Sequence, residues 1–166
     1  LHGKDVPGID TMIEWTQGVI TFLKDYYAKH RTTMDSFAAF PSGHLGMVTP
    51  NGQMEMYDGP LRAIDSEGNV TLPDVSTDLY QKYFLEAVER WSYMKFPYLR
   101  EIGREKGWNR VGPLARMNVC KSIGTPLAEI ERKEYFEITG SPANKSTIYS
   151  HWARLIEMLH CAEIMR

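Results

Sequence analysis

The residues that could carry chemistry are few and lie far apart along the chain. Glu157 and His160 form a Glu-x-x-His pair, a spacing that places a carboxylate and an imidazole on one face of a helix, as in di-iron bundles. Such a bundle needs two copies of this pair and two further glutamates, and the sequence holds one copy. Cys161 and Glu163 are close along the chain, but a helix points them in other directions. We therefore interpret these residues as packing residues.

A second candidate is the segment Pro41-Ser42-Gly43-His44, which could place a nucleophilic serine beside a base. A serine nucleophile of the hydrolase type sits in a Gly-x-Ser-x-Gly elbow and needs an acidic residue to orient its histidine. The sequence around Ser42 contains no such elbow, and no acidic partner can be identified. The pattern favours a turn that leads into a strand.

Composition limits the class of protein. The chain has 166 residues, of which 43% are hydrophobic and 24% charged, which is ordinary for one globular core. A formal net charge of −2 gives no electrostatic support for nucleic-acid or anionic-membrane binding. No apolar run approaches the ~20 residues of a membrane span, and no secretory leader is recognisable. Two cysteines without framework spacing indicate a reducing compartment, so we expect the cytoplasm.

The periodicities predict an α+β fold that is mostly helical, formed as a single unit. A helix is expected over residues 9–30, with Asp10 as its N-cap. Short strands separated by turn signals, of which Asn51-Gly52 is the strongest, predict an antiparallel β meander over residues 45–72.

The second half of the chain, residues 76–138, is predicted to combine helices with an irregular core. One helix is expected from Ser76 or Thr77 toward Trp91, and another from Pro126 to about Ile138. Residues 145–166 show two adjacent apolar stripes at helical spacing, which predicts a helix buried on more than one side.

Several phrases of the sequence follow no generic helix or strand pattern. They include SYMKFPYL at 92–99 and RVGPLARMNV at 110–119, supported by YDGPLRAIDSEGN at 57–69 and the helical run at 149–166. In this order they resemble the central part of the nickel-bearing large subunit of nickel–iron hydrogenases, most closely the bidirectional NAD-reducing group. The resemblance covers nearly the whole chain.

The resemblance implies a parent enzyme that splits dihydrogen at a cysteine-ligated nickel–iron centre. Electrons would pass through a hydrogenase small subunit to flavin-containing diaphorase subunits that reduce NAD. The family holds its metals with two Cys-x-x-Cys pairs, whereas Cys120 and Cys161 are isolated here. We therefore expect no catalytic, cofactor-binding or metal-binding residue in this chain, and no hydrogenase activity from it alone.

Arg116 is the residue that the resemblance makes most interesting. Its guanidinium can form several hydrogen bonds at fixed angles, so it can tie the irregular Gly112-Pro113 segment to neighbouring carbonyls. We favour this structural role. The alternative is that Arg116 lies in an outer shell that supports the metal pocket of the parent.

The resemblance also predicts that the chain is a central portion of a longer protein. Residues 1–8 resemble a family loop that is shortened here, by deletion, splicing or omission. In the family the last helix packs inside a bundle, so we expect exposed apolar surface and self-association when the chain is alone. Two alternatives stay open: a non-catalytic relative such as the quinone-site subunit of complex I, and a stand-alone helical interaction module.

Overall fold

A computed structural model describes residues 6–141 and 143–166. The interpretation of residues 1–8 as a shortened loop falls mainly on residues 1–5, outside the described part. The helices are α1 (Val6–Ser36), α2 (Tyr80–Tyr83), α3 (Pro113–Val119), α4 (Pro126–Thr139) and α5 (Tyr149–Met165). The strands are β1 (Gly43–Val48), β2 (Met54–Glu55), β3 (Leu61–Ile64), β4 (Val70–Val75), β5 (Phe84–Val88), β6 (Lys95–Leu99) and β7 (Asn109–Arg110). The predicted α+β class, mostly helical with a small antiparallel sheet, is confirmed.

The chain divides into two compact units. Unit 1 contains the described residues up to Phe40 together with Ser122–Arg166, and unit 2 contains Pro41–Lys121. Among the described residues, no helix is long and apolar enough to cross a membrane.

Unit 1 is a bundle in which α1 and α4 both pack against α5. Its centre is Trp152, which is fully buried, with the rings of Tyr27 and Tyr135 at 5.7 and 5.2 Å between centroids. Ring pairs at this spacing and tilt stabilise a core beyond the area that they bury. The helical spacing of these residues therefore places their aromatic rings together in the core of unit 1.

The first helix begins earlier than the sequence predicts. Asp10 lies inside α1 rather than at its N-cap, because the backbone is already helical from Val6 and Ile9 is buried on the inner face. His30, the predicted end, has non-helical angles (φ −125°, ψ 24°) that kink α1 before it continues to Ser36.

Unit 2 contains an antiparallel sheet in the order β2-β1-β3-β4, and β7 adds to β1 in parallel. The strand order differs from a simple meander because β1 pairs with both β2 and β3. Gly52, in the predicted Asn-Gly turn, has φ +80°, a left-handed conformation that glycine adopts without steric cost. The Asn51-Gly52 pair therefore predicts the hairpin, but it does not predict the order of the strands in the sheet.

The helix predicted from Ser76 or Thr77 toward Trp91 is wrong beyond its first turns. A 3₁₀ turn (Thr77–Leu79) and α2 are followed directly by β5, which pairs with β6 from Phe84↔Leu99 to Val88↔Lys95. The pairing buries Phe84 and Leu99 in a cluster with Ala63, Leu72 and Val75. Non-local burial thus overrides the helical spacing of this segment.

The last helix is buried on both predicted stripes, with Trp152, Ile156 and Leu159 at 0% exposure. Exposed apolar side chains on α5 are confined to its far side and end, at Met158, Ile164 and Met165. The larger exposed apolar surface of unit 1 lies on α1 instead. Self-association of the chain alone stays a prediction.

Candidate functional site

Unit 2 contains a cavity of about 530 Å³, which we call the unit 2 cavity. It lies between the start of β1, the end of β3, the start of β4 and the segment that follows β6. Its polar lining residues are Ser42, Asp65, Ser66, Thr71, Glu105, Lys106 and Asn109, and its larger apolar ones are Ile64, Leu99, Ile102 and Trp108.

Asp65 is the acidic residue on the sheet side of this cavity. Its Oδ1 accepts hydrogen bonds from the backbone N–H of Glu67 and Asn69 at 2.8 and 2.9 Å, and its Oδ2 accepts from the Asn69 side chain at 2.9 Å. Slight burial would raise the pKa of Asp65, but these hydrogen bonds outweigh it and lower the pKa. The carboxylate therefore stabilises the β3–β4 turn, which explains it without a ligand.

The opposite wall is built by a tight loop between Leu99 and Gly107. Gly107 N–H donates to the Gly103 carbonyl at 2.8 Å, and Leu99 N–H donates to the Gly107 carbonyl at 2.9 Å. A Cβ at Gly107 would lie 2.6 Å from the Gly103 carbonyl oxygen, closer than real Cβ atoms approach. Gly107 is therefore required by the close packing of this loop.

Ser42 and His44 do not form a nucleophile–base pair. Ser42 Oγ is buried at the cavity and has no hydrogen-bond partner among the described residues. His44 is fully buried in β1, where its Nε2 lies 3.2 Å from the Asn118 side-chain nitrogen. The segment is a lead into a strand, as the sequence indicates.

The environment of His44 keeps its imidazole neutral. Burial is the main cause that lowers its pKa, and the nearby charge of Arg110 lowers it further, to about 4. A neutral ring can accept a hydrogen bond on one nitrogen, which suits the amide of Asn118. His44 is therefore a core residue whose protonation opposes folding.

Arg116 lies in α3, half-buried, where this helix packs against β1. A Cβ built at Gly46 would lie 3.3 Å from Arg116 Cα, so glycine allows the strand and the helix to approach closely. The arginine thus belongs to the α3–β1 contact. Its outer-shell role toward a metal pocket stays a prediction.

Glu157 and His160 lie on α5 in unit 1, and both are buried. His160 Nδ1 lies 2.9 Å from Thr125 Oγ1, just before α4. Within residues 6–141 and 143–166, no group of three or more His, Cys, Asp or Glu side chains could hold a metal ion. The packing interpretation of the Glu-x-x-His pair stays a prediction.

Two glutamates hold the beginning of α4 through contacts that the sequence analysis did not predict, and Glu163 had been interpreted as a packing residue. The Glu163 carboxylate accepts hydrogen bonds from the backbone N–H of Leu127 and Ala128, both at 2.9 Å. Glu129 accepts from Ile123 N–H at 2.7 Å. A helix N-terminus leaves its first N–H groups unsatisfied, and a carboxylate also complements its positive dipole end. Glu129 could have been found from the sequence, because an acidic residue in the first turn is a signal of a helix start. Glu163 gives no such signal because it is distant from α4 in the sequence.

The cysteines do not form a cluster site within the chain. Cys120 is buried beside α3 in unit 2, where its Sγ donates to the Met117 carbonyl at 3.6 Å. Cys161 lies on α5 in unit 1. An iron–sulfur cluster is generally held by four cysteine thiolates. The two cysteines of this sequence therefore cannot supply that set.

Comparison with known proteins gives consistent relatives, although no protein-family model matches the chain. The chain is 42% identical over its whole length to NAD-reducing hydrogenase HoxS subunit beta of Cupriavidus necator, of which it covers 34%. It is 39% identical over 93% of its length to a vhu F420-non-reducing hydrogenase subunit of Methanococcus voltae, of which it covers 36%. It is also 30% identical, over 92% of its length, to an F420-non-reducing hydrogenase iron-sulfur subunit of Archaeoglobus profundus, of which it covers 33%. The chain thus spans about a third of these relatives.

A solved structure has the same fold. The crystal structure of an NAD⁺-reducing [NiFe]-hydrogenase in the H2-reduced state matches 96% of this chain with a TM-score of 0.90 and 32% sequence identity. The match covers 36% of that hydrogenase chain.

The names of the relatives correct the assignment to the nickel-bearing large subunit. The Cupriavidus necator relative is named the beta subunit of its hydrogenase, and the Archaeoglobus profundus relative is named an iron-sulfur subunit. These names contradict the expected large-subunit scaffold and the nickel–iron centre expected in the parent. The Archaeoglobus profundus name points to an iron–sulfur cofactor in that relative and also contradicts the expectation of no cofactor. Neither the complex I relative nor the stand-alone module fits these names better.

Proposed function

We propose that this chain is a portion of a hydrogenase subunit, similar to subunit beta of the NAD-reducing hydrogenase. The observation that carries the proposal is 42% identity over the whole chain, together with a TM-score of 0.90 to an NAD⁺-reducing hydrogenase. Similarity that extends through both units favours a shared subunit over a single shared motif.

The part that the described residues play in such a subunit is structural. The Trp152 core and the Glu163 contact fix the helices of unit 1, and the Arg62–Asp74 pair, with its 2.6 and 2.7 Å contacts, fixes β3 against β4 in unit 2. None of these contacts supplies a nucleophile, a general base or a metal ligand. We expect the chain alone to be inactive in a hydrogen-uptake assay with methyl viologen.

The parent reaction that we propose is oxidation of dihydrogen coupled to reduction of NAD, carried out with partner subunits. The cytoplasmic location, and the small-subunit and flavin-containing diaphorase partners, stay predictions that belong to this proposal. A second candidate is the F420-non-reducing hydrogenase class, which is supported by 39% identity to the Methanococcus voltae relative. The two candidates differ in the electron acceptor of the complex.

A hybrid protein tests the proposal. The stretch of Cupriavidus necator HoxS subunit beta that matches this chain is replaced by the 166 residues, and the hybrid is expressed with the other HoxS subunits. We expect it to be soluble and to copurify with them, and the same hybrid carrying Trp152→Ala to lose this property. A hybrid that remains soluble but never associates with the other subunits would contradict the proposal.

A further inference from the structure

The unit 2 cavity has the size and the mixed lining of a site for a small organic ligand. Its volume of about 530 Å³ lies within the ~300–1,000 Å³ that such sites usually occupy. All of its described lining residues belong to unit 2, so this unit alone forms the cavity. The β3–β4 turn and the loop between Leu99 and Gly107, which form its walls, are stabilised by hydrogen bonds of their own.

Asn109 presents a hydrogen-bond acceptor at this cavity. Its side-chain nitrogen donates to the Gly107 carbonyl at 2.7 Å, which fixes the orientation of the amide. Its side-chain oxygen lies against Gly43, where a Cβ would come within 2.3 Å of it, so glycine at position 43 makes room for this oxygen. Both residues line the cavity, and none of the hydrogen bonds within the described residues ends on the Asn109 oxygen. An amide oxygen can accept about two hydrogen bonds, so this acceptor is available to a ligand.

Two carboxylates add further acceptors on opposite walls, Asp65 on the sheet side and Glu105 on the loop. The Oδ2 atom of Asp65 accepts one hydrogen bond, from the Asn69 side chain, and a carboxylate oxygen can accept about two. Glu105 is exposed and forms no ion pair within the part of the chain that the structure describes. Among the described lining residues, Lys106 is the one positively charged side chain. The lining is therefore rich in acceptors and carries a net negative charge.

Apolar side chains complete the lining. Ile64 and Leu99 are buried, and the indole of Trp108 is partly buried. The Trp108 ring packs against the rings of Phe96 and Tyr98, with centroids at 5.9 and 6.0 Å, and these contacts hold it in place. Because the face of an indole attracts cations, and apolar walls favour a hydrocarbon or aromatic ligand, this side of the cavity suits the body of an organic cation.

From this lining we propose that the unit 2 cavity binds a small organic ammonium ion, a protonated amine that carries an aromatic or aliphatic body. The ammonium N–H groups donate to the acceptors of the partly buried residues Asp65 and Asn109, and the body lies against Trp108. A carboxylate ligand of the same shape meets the negative charges of Asp65 and Glu105 instead and binds more weakly. Such a site is a property of unit 2 and does not rest on the proposed hydrogenase function.

Three probes that share one ring system and differ in charge test this site. Tryptamine is a cation at pH 7, because a primary amine is protonated there, whereas tryptophol is neutral and indoleacetate is an anion. Each probe is titrated into the 166-residue chain, and the indole N–H signal of Trp108 is followed by NMR after its assignment with Trp108→Phe. Tryptamine should shift this signal saturably and bind at least about tenfold more tightly than indoleacetate, with tryptophol between them.

Substitution of the two carboxylates identifies what binds the ammonium group. Asp65→Asn keeps an oxygen that can hold the β3–β4 turn but removes the charge, and it should weaken tryptamine binding by about tenfold. Glu105→Gln, at an exposed position, should weaken it by about threefold and leave tryptophol binding unchanged. Glu101→Gln is the matched control, because Glu101 is an exposed glutamate of the same loop that does not line the cavity, and it should leave both affinities unchanged.

The other outcomes contradict the proposal. Equal affinity for indoleacetate and tryptamine, or equal losses in Glu105→Gln and Glu101→Gln, would show that the cavity does not select an ammonium ion. A Trp108 signal that tryptamine fails to shift in the folded chain would show that the cavity is not a binding site.

The HoxS hybrid provides a second setting for the same titration. Tryptamine should bind the assembled hybrid with the affinity that it has for the chain alone. If only the chain alone binds it, the rest of the subunit covers the cavity and the proposal is overturned. A hybrid that never associates with its partner subunits would contradict the proposed function, while the titration of the chain alone would still decide whether the ammonium site exists.

Discussion

Unit 1 and unit 2 are stabilised by different kinds of interior. Unit 1 encloses large aromatic rings around Trp152, on helices whose contacts repeat every three to four residues. Unit 2 joins strands that are distant in sequence and buries His44, whose imidazole is neutral, and Arg62, which pairs with the partly exposed Asp74. We therefore expect a loss of ring volume to have its largest effect in unit 1, which also buries Glu157 and His160, and changes of charge at His44 and Arg62 to affect unit 2.

The largest expected effect is the loss of ring volume in unit 1. Trp152→Ala should lower the free energy of unfolding by about 3–5 kcal/mol, because it removes buried contacts and leaves a cavity. Trp15→Ala, which removes the same side chain from an exposed position on α1, should change it by less than about 0.5 kcal/mol. Urea unfolding measures both, and similar losses would show that unit 1 is not organised around Trp152.

The next largest effect is a loss of folding stability at low pH, which arises from His44 in unit 2. The pKa of His44 is lowered from 6.5 to about 4 in the folded protein, so the unfolded state binds its proton first as the pH falls. Neutral His44 makes its full contribution to the free energy of unfolding above pH 6.5. This contribution is lost as the pH falls from 6.5 to 4, by about 3 kcal/mol at most.

Urea unfolding at several pH values between 7.5 and 4 measures this loss. His44→Gln cannot take up the proton and should show a shallower decline in this range, even if it is less stable at pH 7.5. If the free energy of unfolding falls with pH equally steeply in the unsubstituted protein and in His44→Gln, His44 does not cause the loss.

A smaller effect is expected from the Arg62–Asp74 ion pair of unit 2, in which Arg62 is buried and Asp74 is partly exposed. Asp74→Ala should cost about 2 kcal/mol, because it leaves the guanidinium of Arg62 buried without its bidentate partner. Glu86→Ala breaks the exposed pair with Lys95, whose side chain is 64% exposed, and should cost less than about 0.5 kcal/mol. If both changes cost the same in urea unfolding, burial does not determine the strength of these pairs.

The smallest effect concerns the beginning of α4 in unit 1. Glu163→Ala should cost about 1 kcal/mol, because two backbone N–H groups lose their acceptor. Glu137→Ala, at a position within α4 away from this contact, is the control and should be nearly neutral. Hydrogen exchange should show faster exchange at Leu127 and Ala128 in Glu163→Ala only. Unchanged exchange there would argue against the capping role.

The same contrast explains what the sequence could predict. Helices of unit 1 follow from local signals: Pro126 stands at the first position of α4, and the stripes around Trp152 mark α5. The Asn51-Gly52 turn marks the first hairpin of unit 2 for the same reason. Local chemistry of this kind is readable because the interacting residues are neighbours along the chain.

Features that depend on distant residues were not predictable. Phe84 and Val88 fit a helical spacing, yet they form β5 because β6 lies beside them. Glu163 accepts from Leu127 and Ala128 across 36 and 35 positions, and no local pattern reveals that contact. The exposure of the second apolar stripe of α1 was not predictable, because its spacing is the same as that of a buried helix face.

The central claim is that this chain forms part of a hydrogenase subunit, and the most direct measurement is hydrogen-dependent reduction of NAD⁺ by the hybrid assembled with the other HoxS subunits. The account predicts NADH formation that requires dihydrogen. Complete assembly of the hybrid without any hydrogen-dependent NADH, alongside an active unmodified HoxS complex, would contradict it.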